Sequence, residues 1–338
     1  MKKLNLSNAS YRYLEESFKE WLAVQGYSIT TVYNLPLHVR ELLHYLEQQE
    51  IKNIRELKTK HIEGYYQKLK ERANNRRGGG LSNGHLNKHI QALRKFTEYL
   101  RKVGRLEIPA IRLKDEEAVR KLDYLTVEEI RLLFKASYQL PDRKPNASDQ
   151  LYEAIQSRDR AMLAIYYGCG LRRNEGVQLE VEDINFDSSI LHVKGGKNYK
   201  ERLVPISKRN LHHLISYVYD HRTALSRGSK IGKLFISYSS GKGMQGQSLL
   251  LRLKKLQYQT GDLDLIEKEI GLHTLRHSIA THLLTAGMKL ESISRFLGHS
   301  SLESTQIYAH LQHKPSEQQT VYKNIPVYEY IQLSEDER

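Results

Sequence analysis

Apolar residues recur at helical spacing through the first hundred positions. Leu14, Phe18, Trp21 and Leu22 form one set, and Val39, Leu42, Leu43 and Leu46 form the next. Spacings of three and four residues place such side chains on one face of a helix. The best-defined helix is predicted over Ser82 to Val103, with Ser82 as its N-cap. Projected at about 100° per residue, Leu86, Ile90, Leu93, Phe96, Leu100 and Val103 fall on one arc. Lys88, Arg94, Lys95, Arg101 and Lys102 fall on the other, with Glu98 as an acidic exception. The apolar arc needs a core. A charged arc is usually just solvated, but this one is basic enough to suit a phosphate backbone, and Arg76 and Arg77 stand nearby in the loop Asn74 to Gly80.

The pattern then changes. Gly104, Pro109 and the mixed charges from Arg112 to Glu117 predict a linker over 106–123, between a helical domain at 1–105 and a second domain at 124–315. Thr126 with Glu129 predicts a capping box at the second domain's first helix. Pro141, Pro145 and the polar residues 142–149 suggest a surface loop, and Arg158 to Tyr167 returns to helix. Ile190 to Val193 and Arg202 to Pro205 read as two strands of a β-hairpin turning through 195–200. Beyond Ser207 the chain is mostly helical. One predicted helix, Glu291 to Leu297, turns Ile293, Phe296 and Leu297 to the core and ends at Gly298-His299. Residues 316–338 form a tail with an acidic end. There is no internal repeat.

Composition narrows the class. The chain has 53 Lys and Arg against 39 Asp and Glu, a net +14 that favours a polyanionic partner. A single cysteine, Cys169, excludes an internal disulfide framework and a multi-cysteine zinc site, and fits a reducing cytoplasm. No run is long and apolar enough for a membrane span, and the first residues do not read as a secretory signal.

The candidate chemistry is spread along the second domain. Arg172 and Glu175 lie in Gly170-Leu171-Arg172-Arg173-Asn174-Glu175; Lys197 lies in the hairpin turn; His273 and Arg276 lie in His273-Thr274-Leu275-Arg276-His277. His299 follows Leu297-Gly298, and Tyr308 stands nine residues later in Thr305-Gln306-Ile307-Tyr308. Arginine grips two phosphoryl oxygens with a planar fork and stays charged. Positions i and i+3 share a helix face, so His273 and Arg276 can converge on one anion. Tyrosine titrates near pH ~10 and needs cationic neighbours to attack near neutrality. Taken singly, each feature is ordinary: Arg172–Glu175 could be an exposed ion pair, and the chain has 22 tyrosines.

In order and spacing these motifs resemble the tyrosine recombinases, the phage-integrase and Xer-type site-specific DNA recombinases. The likeness runs from about Tyr124 to Tyr308, and before Arg105 it holds in general character. It implies a mainly α fold with a small β-hairpin or sheet: an N-terminal helical, SAM-like core-binding domain and a mixed α/β, mostly helical, catalytic domain. It also implies that Tyr308 attacks the scissile phosphate to form a 3′-phosphotyrosyl link. Arg172, Arg276 and His299 would stabilise the transition state, His273 would assist proton handling, and Glu175 would orient the site. Lys197 would protonate the leaving 5′ oxygen, although Lys194 and Lys200 compete and Asn198 replaces the glycine usual after that lysine. The expected partners are duplex DNA carrying specific sites and three further copies of the chain, four protomers on two sites, with no cofactor and no metal. A metal-dependent hydrolase using His273, His277, His282 and His299 is one rival, lacking the carboxylates or cysteines expected of such a site. A type IB topoisomerase-like strand transferase and a non-catalytic DNA-binding regulator are the others.

Overall fold

A computed structural model describes residues 4–74, 78–104, 107–109, 111–117, 124–139, 148–195 and 201–298. The chain divides into two compact units, Met1–Arg120 and Lys121–Arg338, each with its own apolar core.

The first unit is helical: α1 (Ala9–Val24), α2 (Ile29–Gln48), α3 (Thr59–Glu71) and α4 (Asn83–Lys102). Asn8 and Ser28 cap the first two helices, each side chain accepting a backbone N–H that the helix leaves unpaired. Helix α2 packs on both α1 and α4. Phe18 and Leu22 of α1, the predicted set Val39, Leu42, Leu43 and Leu46 of α2, and Ile90, Leu93 and Phe96 of α4 are all buried. Phe18 meets Phe96 edge-on, with ring centroids 5.3 Å apart. Arg40 ties α2 to α1 by donating to both oxygens of Glu15 at 2.9 and 2.8 Å.

Ser82 stands at the N-cap of α4 as expected, although its hydroxyl makes no capping bond; one expectation about this helix needs correction. Val103 does not join the buried arc: it is the C-cap, where the chain leaves the helix, and is 57% exposed. The buried face is instead widened by His89, Ala92, Thr97 and Tyr99. The stretch expected to be a linker also behaves differently. Ile108 is buried in the first core, Glu116 accepts from Tyr66 at 2.7 Å and pairs with Lys70 at 2.6 Å, and Asn87 brackets the Glu116 backbone. Its described residues therefore lie against the first unit, because one apolar side chain and one carboxylate find partners there.

The second unit contains α5 (Val127–Ala136), α6 (Asp149–Leu163), α7 (Arg173–Gln178), β1 (Ile184–Asn185), β2 (Ile190–Val193) and β3 (Arg202–Pro205). There follow α8 (Lys208–Ile215), α9 (Arg222–Ser226), α10 (Gly246–Gln259), α11 (Leu263–Glu267), α12 (Leu272–Thr285) and α13 (Leu290–Leu297). The capping box at α5 forms as expected, with Thr126 and Glu129 exchanging side-chain-to-backbone bonds. The antiparallel sheet runs β1-β2-β3, with Leu191 opposite Val204. Strands β2 and β3 have the predicted bounds. Strand β1 is two residues long, too short to show alternation in sequence.

Helix α6 widens at its end into a π-helical turn, Ala164–Gly168, whose residues are all buried. Gly170 then takes a positive φ of 61°, and the chain re-enters helix at α7 with Arg172 as N-cap. Helix α12 packs against this turn and against α13, and β3 also packs on α13. The start of α7, the start of β3, helix α12 and the end of α13 therefore meet in one place.

Candidate active site

Glu175 is the hub of that meeting point. Its carboxylate is 5% exposed and lies in the first turn of α7. Burial alone would raise its pKa. The hydrogen bonds and charge of Arg202, followed by those of Arg172, override this and hold the carboxyl at about 2, against an ordinary 4.5. Arg172 donates its backbone N–H to Oε2 at 2.7 Å and its Nη1 to Oε1 at 2.8 Å. Arg202 grips the same carboxylate with both Nη atoms, at 3.1 and 3.0 Å. Arg276 stands close behind, with Nη1 3.9 Å from Oε2. The Arg172–Glu175 contact is thus part of a buried network and not the exposed pair its spacing alone would allow.

The arginines are also pinned to backbone carbonyls. Arg276, itself buried, donates to Gly170 O and Leu297 O, each at 2.7 Å. Arg172 donates to Gly298 O at 2.8 Å, and Arg202 to Phe296 O at 3.0 Å. All three thus hold the last turn of α13, which delivers the chain toward His299. Gly298 closes that helix in the left-handed region, with φ 64°. A Cβ there would lie 2.8 Å from Cδ of Arg202, so glycine is needed for both backbone and space.

His273 opens α12, three residues before Arg276, with its ring reaching solvent. The protein packed around it, and then the charges of Arg276, Arg172 and Arg173, lower its pKa. The imidazole is therefore neutral at pH 7, able to accept a proton and to donate one N–H. His277 and His282 are depressed to about 4 by burial. His282 shares a 3.0 Å bond with Tyr167 and braces α12 against the π turn. Among the described residues His273, His277 and His282 do not gather their ring nitrogens into a common ligand set, so the hydrolase alternative loses its motivation there.

Three guanidinium charges around one carboxylate leave the site positive. Their planes are fixed by protein acceptors before any ligand arrives, and that preorganisation makes an arginine cluster effective on a phosphoryl group. Arg172, Glu175, His273 and Arg276 are thus brought together. Lys197, His299 and Tyr308 lie outside the described residues, as do Arg76 and Arg77. Arg202 was missed. On paper it is one basic residue at the start of a strand, and only the fold turns it onto Glu175. Lys194, the competitor of Lys197, is engaged elsewhere: its Nζ lies 2.7 Å from the buried Asp183 and 3.1 Å from Glu182, contacts that raise its pKa.

The basic arc of α4 is partly spent inside the first unit. Arg94 donates to Asp115 at 3.1 Å and to Leu113 O at 2.8 Å, and Arg101 donates to Ile108 O. Lys95 and Lys102 both reach Glu98, at 2.9 and 2.8 Å. Lys88 is exposed, and no hydrogen bond or ion pair holds it among the described residues.

Comparison with known proteins gives the family. Residues 125–314 match the phage integrase family, and residues 16–104 match the phage integrase N-terminal SAM-like domain. The chain belongs to the phage integrase family and is a tyrosine recombinase. It is 30% identical over 303 residues to the tyrosine recombinase XerD of Corynebacterium glutamicum, covering 89% of this chain and 94% of that one. A XerD of Pseudomonas putida is 42% identical over 161 residues, 48% of this chain and 52% of its own length. In fold, the chain is similar to the XerH site-specific recombinase bound to its difH substrate, with a TM-score of 0.66 at 19% identity over 94% of this chain and 85% of that one. A lambda integrase dimer bound to a core site gives a TM-score of 0.61 at 14% identity, over 90% and 97%. The SAM-like and catalytic regions and the mostly helical fold with its small sheet are those expected from the sequence.

Proposed function

We propose that this recombinase cuts and rejoins duplex DNA at specific sites through a 3′-phosphotyrosyl intermediate on Tyr308. The observation that carries the reading is the Glu175 hub, on which arginines from three separate segments are held by one carboxylate and by the carbonyls of Phe296, Leu297 and Gly298. Arg172 and Arg276 stabilise the charge that develops on the phosphoryl oxygens, with His299 as a further donor. His273, neutral at pH 7, takes the proton of the attacking phenol or orients it. The 5′-hydroxyl of a partner strand then attacks the phosphotyrosine, so the number of phosphodiesters is conserved and neither ATP nor a metal is consumed.

Lys197 serves as the general acid for the leaving 5′ oxygen. Support comes from its rival: an ammonium whose pKa is raised by Asp183 and Glu182, as in Lys194, parts with its proton reluctantly. Four protomers assemble on two DNA sites, with residues 309–338 docking on a neighbour. Lys88 and the Arg76-Arg77 loop contact phosphates, with Arg94, Lys95, Arg101 and Lys102 lending charge to the same arc. The work is done in the cytoplasm, where the DNA is. Among the described residues no helix is long and apolar enough to cross a membrane.

The test is a nicked suicide duplex incubated with the protein and resolved on a denaturing gel. Wild type should trap a covalent adduct, while Tyr308→Phe should bind the duplex and trap none. An adduct of wild-type intensity from Tyr308→Phe would remove Tyr308 from the mechanism.

A further inference from the structure

The first unit holds a cluster that strand exchange does not use. His38 on α2 and His85 and His89 on α4 bring ring nitrogens within 4.8 Å of one another. Their ring centroids are 4.3 to 5.5 Å apart. His85 and His89 are one helical turn apart, so they share a face of α4. His38 and His89 are buried, and His85 is half-buried.

Two of the ring nitrogens, His38 Nδ1 and His89 Nε2, are buried without any hydrogen-bond partner. Native interiors rarely leave such atoms unpaired, and an ion or ordered water is a standard reason. The surroundings discriminate between these. His89 Nδ1 lies 3.0 Å from the Tyr65 hydroxyl, whose own proton is directed at His38 O, 3.5 Å away. When Nδ1–H donates to the Tyr65 hydroxyl, the buried and unpartnered Nε2 carries the free lone pair. A metal-bound imidazole is typically held this way, with its far nitrogen fixed by a second partner. Arg72 would oppose a cation here, but it is paired with Glu41 at 2.5 Å. Glu41 also has a second oxygen, Oε1, buried and unpartnered.

We infer that His38, His85 and His89 form a binding site for a borderline divalent transition-metal ion, zinc foremost, that clamps α2 to α4. Imidazole is the natural ligand for such ions. Tetrahedral zinc at roughly 2.0–2.1 Å from each nitrogen requires the rings to close inward from their present separation. Water would complete the shell on the half-exposed side of His85. The site departs from the metal-free chain expected from sequence. It is structural, lies in the unit that lacks the arginine–glutamate hub, and does not rest on the proposed chemistry of Tyr308.

The full chain, prepared without a histidine tag and stripped with EDTA, should be titrated with zinc chloride and followed by calorimetry and thermal unfolding. Zinc should raise the Tm of the first unit by at least about 5 °C at saturation. In nitrogen-15 spectra it should shift His89 Nε2. His85→Ala removes a half-exposed ligand without opening the core, and it should abolish that rise. Tyr65→Phe leaves all three rings in place but loses the hydroxyl beside His89, and it should weaken zinc about 10–100-fold. Histidines of the second unit could bind zinc too, so the assignment requires that His277→Gln keep the rise. A Tm unmoved by zinc in wild type, or a rise unchanged in His85→Ala, would overturn the site and leave water as the occupant of the cluster.

Discussion

Helices α4 and α12 make opposite use of their sequences. Helix α4 buries one face and exposes the other, so its period is readable residue by residue. Helix α12 buries Leu272, Thr274, Leu275, Arg276, Ser278, Ile279, Ala280, Thr281, His282, Leu283 and Leu284, nearly its whole circumference. A helix enclosed on all sides has little periodicity to show. It carries polar groups into the interior, and each of these must find a partner there. One unit is therefore held mainly by matched apolar faces. The other is held in addition by a buried polar network that also builds the site. Changes to the network should cost far more than changes to the exposed face of α4.

The largest effect is expected at the hub. Glu175→Ala leaves Arg202 and Arg276, 7% and 4% exposed, without their counter-charge. Removing one member of a buried pair typically costs about 3–5 kcal/mol. Urea unfolding should show that loss in the second unit alone, together with loss of covalent adduct on a suicide duplex. Because folding depresses the Glu175 pKa to about 2, its stabilising contribution is complete above the ordinary carboxyl range and fades as pH falls from about 4.5 toward 2. A destabilisation under about 1 kcal/mol at pH 7 would show that the arginines do not depend on Glu175, and the contrast between the units would fail.

This contrast also explains what could be read from the sequence. The helices of the first unit follow from periodicity because each is half-exposed. Strands β2 and β3 follow from two short runs on either side of a Gly-containing turn, and Thr126 with Glu129 from local capping chemistry. Arg172, Glu175, His273 and Arg276 were legible for another reason: the order and spacing of their motifs resemble those of the tyrosine recombinases. Arg202 was not, because its role depends on β3 lying against α13, a long-range fact with no local signature. The histidine cluster was hidden for the same reason. His85 and His89 show an i, i+4 spacing, but His38 joins them only when α2 packs on α4.

The middle of the scale tests the interior of α12 against that of α4. Ser278→Ala strands the buried N–H of Leu125, which now donates to Ser278 Oγ at 2.8 Å. An unpaired buried donor costs about 1–3 kcal/mol, measurable as a lowered urea midpoint with unchanged m. Thr97→Ala in α4 removes only a bond back onto its own helix, at Arg94 O, and should cost less than about 1 kcal/mol. Equal losses would show that the interior of α12 is no more exacting than that of α4. His282 adds a pH signature. Its pKa is held at about 4 by burial, so the unfolded chain binds its proton first. Stability then falls as pH drops from about 6.5 toward 4, by up to about 1.4 kcal/mol per pH unit for this one group. His282→Gln should flatten the curve of unfolding free energy against pH in that window, and an unaltered slope would place the acid sensitivity elsewhere.

The smallest effect on stability, and the sharpest test of the exposed face, is at Lys88. Its ammonium is solvated and holds nothing in place among the described residues, so Lys88→Gln should change stability by less than about 0.5 kcal/mol. If Lys88 meets a DNA phosphate, the substitution should lower the slope of log K against log salt by about 0.9. Arg94→Gln is the matched control. Arg94 already spends donors on Asp115 and Leu113 O, so its loss should loosen residues 113–115 and leave most of the salt slope intact. Filter binding at several salt concentrations separates the two. Should Arg94→Gln flatten the slope and Lys88→Gln leave it unchanged, the internal bonds of Arg94 must give way when DNA binds. The arc would then work through residues that the free protein keeps occupied.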